Sequence, residues 1–160
     1  MNGFQITCSE KDIAVNFQPL FNQLQENTIF LLKGNLGAGK TTFVREMAKW
    51  IGVKETVQSP TFNLVNIYPC EPNHKQNAFI QSLEAIYHFD LYRIQAVDEF
   101  SELYEQTFME SPFNTYLVFI EWPEKINVEQ RKLFTEPCIQ IEIQSDLLSN
   151  KRNYFISELV

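Results

Sequence analysis

The residues best suited to chemistry in this chain are Gly34-Asn35-Leu36-Gly37-Ala38-Gly39-Lys40-Thr41. Their spacing fits a loop that cradles phosphates. Gly34, Gly37 and Gly39 free the backbone to bring its N–H groups against phosphate oxygens. A helix opening at Lys40 would add unpaired amides and the positive end of its dipole. Lys40 would reach the β- and γ-phosphates, and the Thr41 hydroxyl would take one Mg²⁺ position. Thr42 supplies a second hydroxyl, whose default role is packing at the helix start.

Carboxylates and hydroxyls elsewhere complete the chemistry that such a loop needs. Glu121 is the first carboxylate at the end of Tyr116-Leu117-Val118-Phe119-Ile120, the most apolar run in the chain. Ligands of open α/β sheets sit outside the carboxyl ends of the strands, so Glu121 is expected to emerge beside the loop. Asp90 ends a second apolar segment, Tyr87-His88-Phe89. The residues alone leave open which of Asp90 and Glu121 meets a metal and which orients water, though the apolar run favours Glu121 on the metal side. Ser59 and Thr61 follow the loop helix, where nucleotide switches place hydroxyl-bearing loops. A polar turn before a strand accounts for them equally well.

The elements that must position these groups read as alternating strands and helices. Phe4 to Cys8 is a short strand, and Ser9 with Asp12 at the capping-box position opens a helix whose apolar face is Ile13, Phe17, Leu20, Phe21 and Leu24. Pro19 should kink or shorten that helix. Thr28 to Lys33 is apolar enough to be a strand buried on both faces. The loop helix should run to about Trp50, with Gly52 as its stop. Val57 to Tyr68 turns at Pro60 and continues as an alternating strand. Pro69 to Ser82, with His74, reads as a solvated excursion. Val97 to Met109 is an amphipathic helix, Pro123 stops the Tyr116 strand, and Cys138 to Ile143 pairs with Tyr154 to Leu159 as an antiparallel hairpin. The expected fold is therefore α/β, a single P-loop NTPase domain over residues 1–160 with a mostly parallel central sheet flanked by helices.

Composition narrows the partners. A net charge of −7 argues against a broad basic face for nucleic acid, so any action on RNA should pass through another protein. Cys8, Cys70 and Cys138 are odd in number and widely spaced, which suggests neither a disulfide framework nor a zinc site and fits a reducing compartment. The amino terminus lacks the basic and apolar regions of a signal peptide, and a cytoplasmic location is expected.

Four motifs in order, Gly34 to Phe43, Ser59-Pro60-Thr61-Phe62, His88-Phe89-Asp90-Leu91-Tyr92-Arg93 and Glu121-Trp122-Pro123-Glu124, resemble those of the bacterial TsaE (YjeE) ATPases. The resemblance implies a small P-loop ATPase that works with the TsaB and TsaD proteins in threonylcarbamoyl transfer to a tRNA adenosine. It implies ATP and Mg²⁺ as cofactors, a nucleotide loop on Asn35, Leu36, Gly37, Ala38, Gly39, Lys40, Thr41 and Thr42, and metal ligation by Thr41 and Glu121. It also implies a Walker-B-like role for Asp90, a tryptophan beside the nucleotide at Trp122, and nucleotide contacts near Ser9 and Arg152. The long stretch between Tyr68 and Tyr87, and Leu103-Tyr104 in place of a common Leu-Gly pair, depart from the family pattern.

Three other readings compete. A small-molecule kinase would need an arginine-rich lid, which the chain does not offer. A guanine-nucleotide switch would need a carboxylate after Asn150-Lys151-Arg152, where Asn153 stands instead. A non-catalytic nucleotide-binding subunit has the same loop and differs only in turnover.

Overall fold

Thr28–Lys33 is apolar almost throughout because helices cover both of its faces. In the computed structural model, which describes residues 3–60, 63–71, 77–95, 98–146 and 149–159, this strand lies at the centre of one seven-stranded sheet. The chain order is β1 (Phe4–Cys8), α1 (Ile13–Phe21), β2 (Thr28–Lys33), α2 (Lys40–Ile51), β3 (Val65–Pro69), α3 (Ala78–Gln81) and β4 (Ala85–Asp90). There follow α4 (Glu99–Met109), β5 (Tyr116–Glu121), α5 (Val128–Arg131), β6 (Cys138–Ser145) and β7 (Arg152–Leu159).

The spatial order is β1-β7-β6-β2-β5-β4-β3. Strands β6, β2, β5 and β4 form a parallel centre. At one side β7 pairs antiparallel with both β6 and β1, and at the other β3 pairs antiparallel with β4. Antiparallel pairs can be joined by short hairpins, whereas the parallel centre requires crossovers that carry the helices.

Side chains alternate across this sheet and so sort into two cores. Phe30 and Leu32 of β2, Leu117 and Phe119 of β5, and Ile86 of β4 pack under α1 and α2 with Phe17, Phe21, Phe43 and Met47. Phe21, Phe30 and Phe119 stack, with centroids 4.7 and 5.1 Å apart for successive pairs. Ile29, Leu31, Tyr87, Phe89, Val118 and Ile120 face the other way, against Phe100 and Tyr104 of α4.

Local departures from the sequence reading have local causes. Ser9 does not cap a helix through the backbone; its Oγ donates to Asp12 Oδ2 at 2.5 Å, and a 3-10 turn over Glu10–Asp12 precedes α1. Pro19 falls in the last turn of α1, which ends at Phe21. The alternating strand expected from Val57 to Tyr68 contains only β3, starting at Val65. The excursion after Pro69 contains the short α3, capped by Asn77, whose amide also donates to the Asn22 and Leu24 carbonyls. His74, within residues 72–76, lies outside the described residues, as does Val97 at the expected start of α4. The unforeseen α5 is fixed by a capping box between Asn127 and Gln130. Among the described residues no helix is long and apolar enough to cross a membrane.

Candidate functional site

Residues 34–39 must turn the chain from β2 into α2 within very little space. Gly34 has φ 150°, and a Cβ there would stand 2.6 Å from the Ile143 carbonyl oxygen of β6. Gly39, left-handed at φ 103°, precedes α2, which has no side-chain cap at its start. The amides of the first helical turn have no partner within the helix and remain available to a ligand. Gly37, Gly39, Lys40, Thr41 and Thr42 all line a cavity of about 520 Å³. An uncapped helix start on a cavity is a ready anion site.

Parity along β4 and β5 supplies the acidic wall. Glu121 continues the Leu117, Phe119 series, and Asp90 continues the Ile86, His88 series, so both carboxylates leave the sheet on the α2 side. The two are register partners at the carboxyl ends of adjacent parallel strands. Glu121 is buried, and its Oε1 accepts from Thr41 Oγ1 at 2.7 Å and from His88 Nε2 at 2.8 Å. Asp90 is fixed at both oxygens, by Ser59 Oγ at 2.5 Å and by the Tyr92 amide at 3.1 Å.

Lys40 crosses between loop and wall. Its Nζ donates to the carbonyls of Gly34 at 2.7 Å and Asn35 at 3.1 Å, and lies 3.7 Å from the centroid of the Trp122 ring. Burial holds the ammonium below the ordinary lysine value, against the opposing pull of Glu121, Glu124 and Asp90. Trp122 has φ 61° and packs against Tyr92 in a tilted ring contact with centroids 5.1 Å apart. Leu64 has φ 59°, and these are the two non-glycine residues with positive φ among the described residues. Both line the cavity, and such backbone strain gathers at ligand sites. On the far side Arg152 Nε donates to the Ala38 carbonyl at 2.8 Å, while Nη2 pairs with Glu10 Oε1 at 2.6 Å.

Among the described residues no group of three His, Cys, Asp or Glu side chains could hold a metal alone. Magnesium at phosphate sites needs fewer protein ligands, since phosphate and water oxygens fill most of its positions. The Thr41 hydroxyl and Glu121 carboxylate, in contact beside the uncapped start of α2, fit that requirement.

Residues 7–154 match the family model described as Threonylcarbamoyl adenosine biosynthesis protein TsaE. The chain belongs to the TsaE family. It is 42% identical over 146 residues to the tRNA threonylcarbamoyladenosine biosynthesis protein TsaE of Rickettsia typhi, covering 90% of this chain and 87% of that one. It is 36% identical over 110 residues to the TsaE of Synechocystis, covering 68% and 62% of the two chains. The crystal structure of Bacillus subtilus YdiB aligns with a TM-score of 0.58 at 18% identity, over 99% of this chain and 87% of that one, and supports the fold.

The residues that the TsaE resemblance singled out fall unevenly about the cavity. Leu36, Gly37, Gly39, Lys40, Thr41, Thr42, Asp90, Glu121, Trp122 and Arg152 line it. Asn35 and Ala38 take part through their carbonyls, toward Lys40 and Arg152. At the first strand's end Glu10, and not Ser9, lines the cavity, because the Ser9 hydroxyl is turned to Asp12. Thr61 lies outside the described residues, whereas Ser59 reaches Asp90. Tyr92 is half exposed on the cavity because β4 has already ended at Asp90. Glu10 and His88 were missed. A histidine two residues before Asp90 in an otherwise apolar strand was the available signal for His88.

Proposed function

We propose that this chain acts as one P-loop domain that binds ATP with Mg²⁺ and hydrolyses it in service of tRNA threonylcarbamoyladenosine synthesis. The observation that carries the reading is the 2.7 Å contact between Thr41 and Glu121, made across 80 residues of sequence beside an uncapped helix start. The α2 amides bind the phosphate tail, and Lys40 leaves its loop carbonyls to meet the β- and γ-phosphates. Thr41 and Glu121 would hold the metal, and Mg²⁺ bound there would neutralise charge on the phosphate oxygens. Asp90, fixed by Ser59 and the Tyr92 amide, orients the attacking water.

The partners in this reading are the TsaB and TsaD proteins, with tRNA contacted only indirectly. The net charge of −7 favours a protein surface over a polyanion as the direct contact. The test is nucleotide binding and turnover by wild type, Lys40→Ala and Glu121→Ala, with and without TsaB and TsaD, alongside tRNA modification by the same mixtures. Both substitutions should abolish hydrolysis and stop modification. Modification that continues without hydrolysis would leave a nucleotide-binding subunit in place of an ATPase.

A further inference from the structure

His88 is fully buried within β4, and its ring makes one polar contact, with Glu121. The nitrogen facing a carboxylate oxygen must carry a proton, so Nε2–H donates to Oε1 over 2.8 Å. The other nitrogen, Nδ1, is buried and has no hydrogen-bond partner among the described residues. Leaving a buried polar atom unpaired disfavours folding. Packing alone therefore does not account for an imidazole at this position.

The oxygen that His88 engages is the one that also receives the Thr41 hydroxyl. Two donors converging on Oε1 fix the rotation of the carboxylate and direct Oε2 away from both of them. We propose that His88 is a positioning residue that aims Glu121 at the metal, a role that rests on the Mg²⁺-ATP reading above. Groups that orient a metal-binding carboxylate typically change metal affinity 10–100-fold when removed. His88 is buried and is not among the residues lining the cavity, so affinity for metal-free nucleotide should not depend on it.

The test uses the full chain with ADP and reads Mn²⁺ affinity of the protein–ADP complex from the electron paramagnetic resonance signal of free Mn²⁺. ADP affinity in EDTA is measured in parallel. His88→Phe removes the donor, and His88→Gln restores an N–H near the Nε2 position. We expect His88→Phe to bind Mn²⁺ about 10-fold more weakly or worse, with ADP affinity in EDTA within about twofold of wild type. His88→Gln should recover most of the Mn²⁺ affinity. Unchanged Mn²⁺ affinity in His88→Phe overturns the proposal, as does a loss that His88→Gln shares in full or one matched by lost metal-free ADP binding. Failure of the wild-type chain to bind ADP under either condition would instead overturn the Mg²⁺-ATP reading.

Discussion

Replacing Thr41 by valine removes one hydroxyl at nearly constant volume and tests the joint between the loop and the distant strand. The Thr41 Oγ1 to Glu121 Oε1 separation of 2.7 Å lies in the range of charge-assisted O–H···O⁻ bonds. Hydrogen bonds to charged groups contribute about 1.5–3 kcal/mol. Glu121 keeps its contact with His88 after the substitution, so Oε1 is not orphaned and the loss should fall at the lower end, about 1.5–2 kcal/mol. For a chain of this size that corresponds to a fall in Tm of roughly 3–8 °C. Thr41→Ser, which retains the donor, should lose less than half as much. A double-mutant cycle with Glu121→Gln reads the charge-dependent part of the contact, because a neutral acceptor reduces the bond to about 0.5–1.5 kcal/mol. Urea denaturation of the four proteins without nucleotide should give a coupling of about 1 kcal/mol. Equal destabilisation by valine and serine would refute the view that this bond joins α2 to β5, and a coupling near zero would refute its charge assistance.

Three further outcomes follow from the same geometry. Gly34→Ala should cost at least about 2–3 kcal/mol by urea denaturation, since its Cβ would strike the Ile143 carbonyl at 2.6 Å, whereas Gly37→Ala meets open space and should cost only about 1 kcal/mol of backbone strain. Burial lowers the Lys40 pKa, so the folded state loses this proton before the unfolded state does; stability from this group should rise with pH from the folded pKa up to the ordinary value of 10.5. The urea midpoint of wild type relative to that of Lys40→Met should show that rise through the alkaline range, because the opposite contribution of the buried thiols and phenols is common to both proteins. Arg152→Gln removes a contact to the buried Ala38 carbonyl side of the loop and should cost about 1–2 kcal/mol, while Glu10→Gln, at a half-exposed carboxylate, should cost less than about 1 kcal/mol; equal losses would assign the effect to the ion pair instead.

The fold was legible where burial imposes a pattern on the sequence. Strands β2, β4 and β5 are continuous apolar runs because both faces are covered, and their ends are marked by Gly34, Asp90 and Pro123. β6 alternates in sequence, as does its burial. Less legible were features set by tertiary contacts. The stretch from Val57 to Tyr68 has strand-like alternation, yet it pairs with β4 only from Val65 onward. Short helices such as α3 and α5 depend on caps and docking rather than apolar periodicity, and α3 is held by Asn77 reaching back to Asn22 and Leu24. Around the cavity, motif spacing singled out Lys40 and Thr41, and position at the end of an apolar strand singled out Glu121; all three line it. Spacing could not reveal Glu10 or Tyr92, which reach the cavity only because β1 and β4 end at its rim.

The convergence of these motifs has a simple geometric source. Register pairs Asp90 with Glu121, Glu121 with Leu32, Leu32 with Ile141 and Ile141 with Ile156, giving one row of side chains across five strands. Leu32, Ile141 and Ile156 in that row belong to the core beneath α1 and α2, so the row faces the helix that starts at Lys40. The row is apolar from Ile156 to Leu32 and acidic at Glu121 and Asp90. The loop from Gly34 to Gly39 leaves β2 at that boundary, bringing α2 back over it with Thr41 against Glu121. A slip of β5 by one residue would send Glu121 to the α4 side and bury a carboxylate among Phe89, Val118 and Ile120. The cost of burying an unpaired charge there disfavours the slipped pairing. The carboxylate that meets Thr41 on the cavity wall therefore also helps fix the register of the strand that carries it.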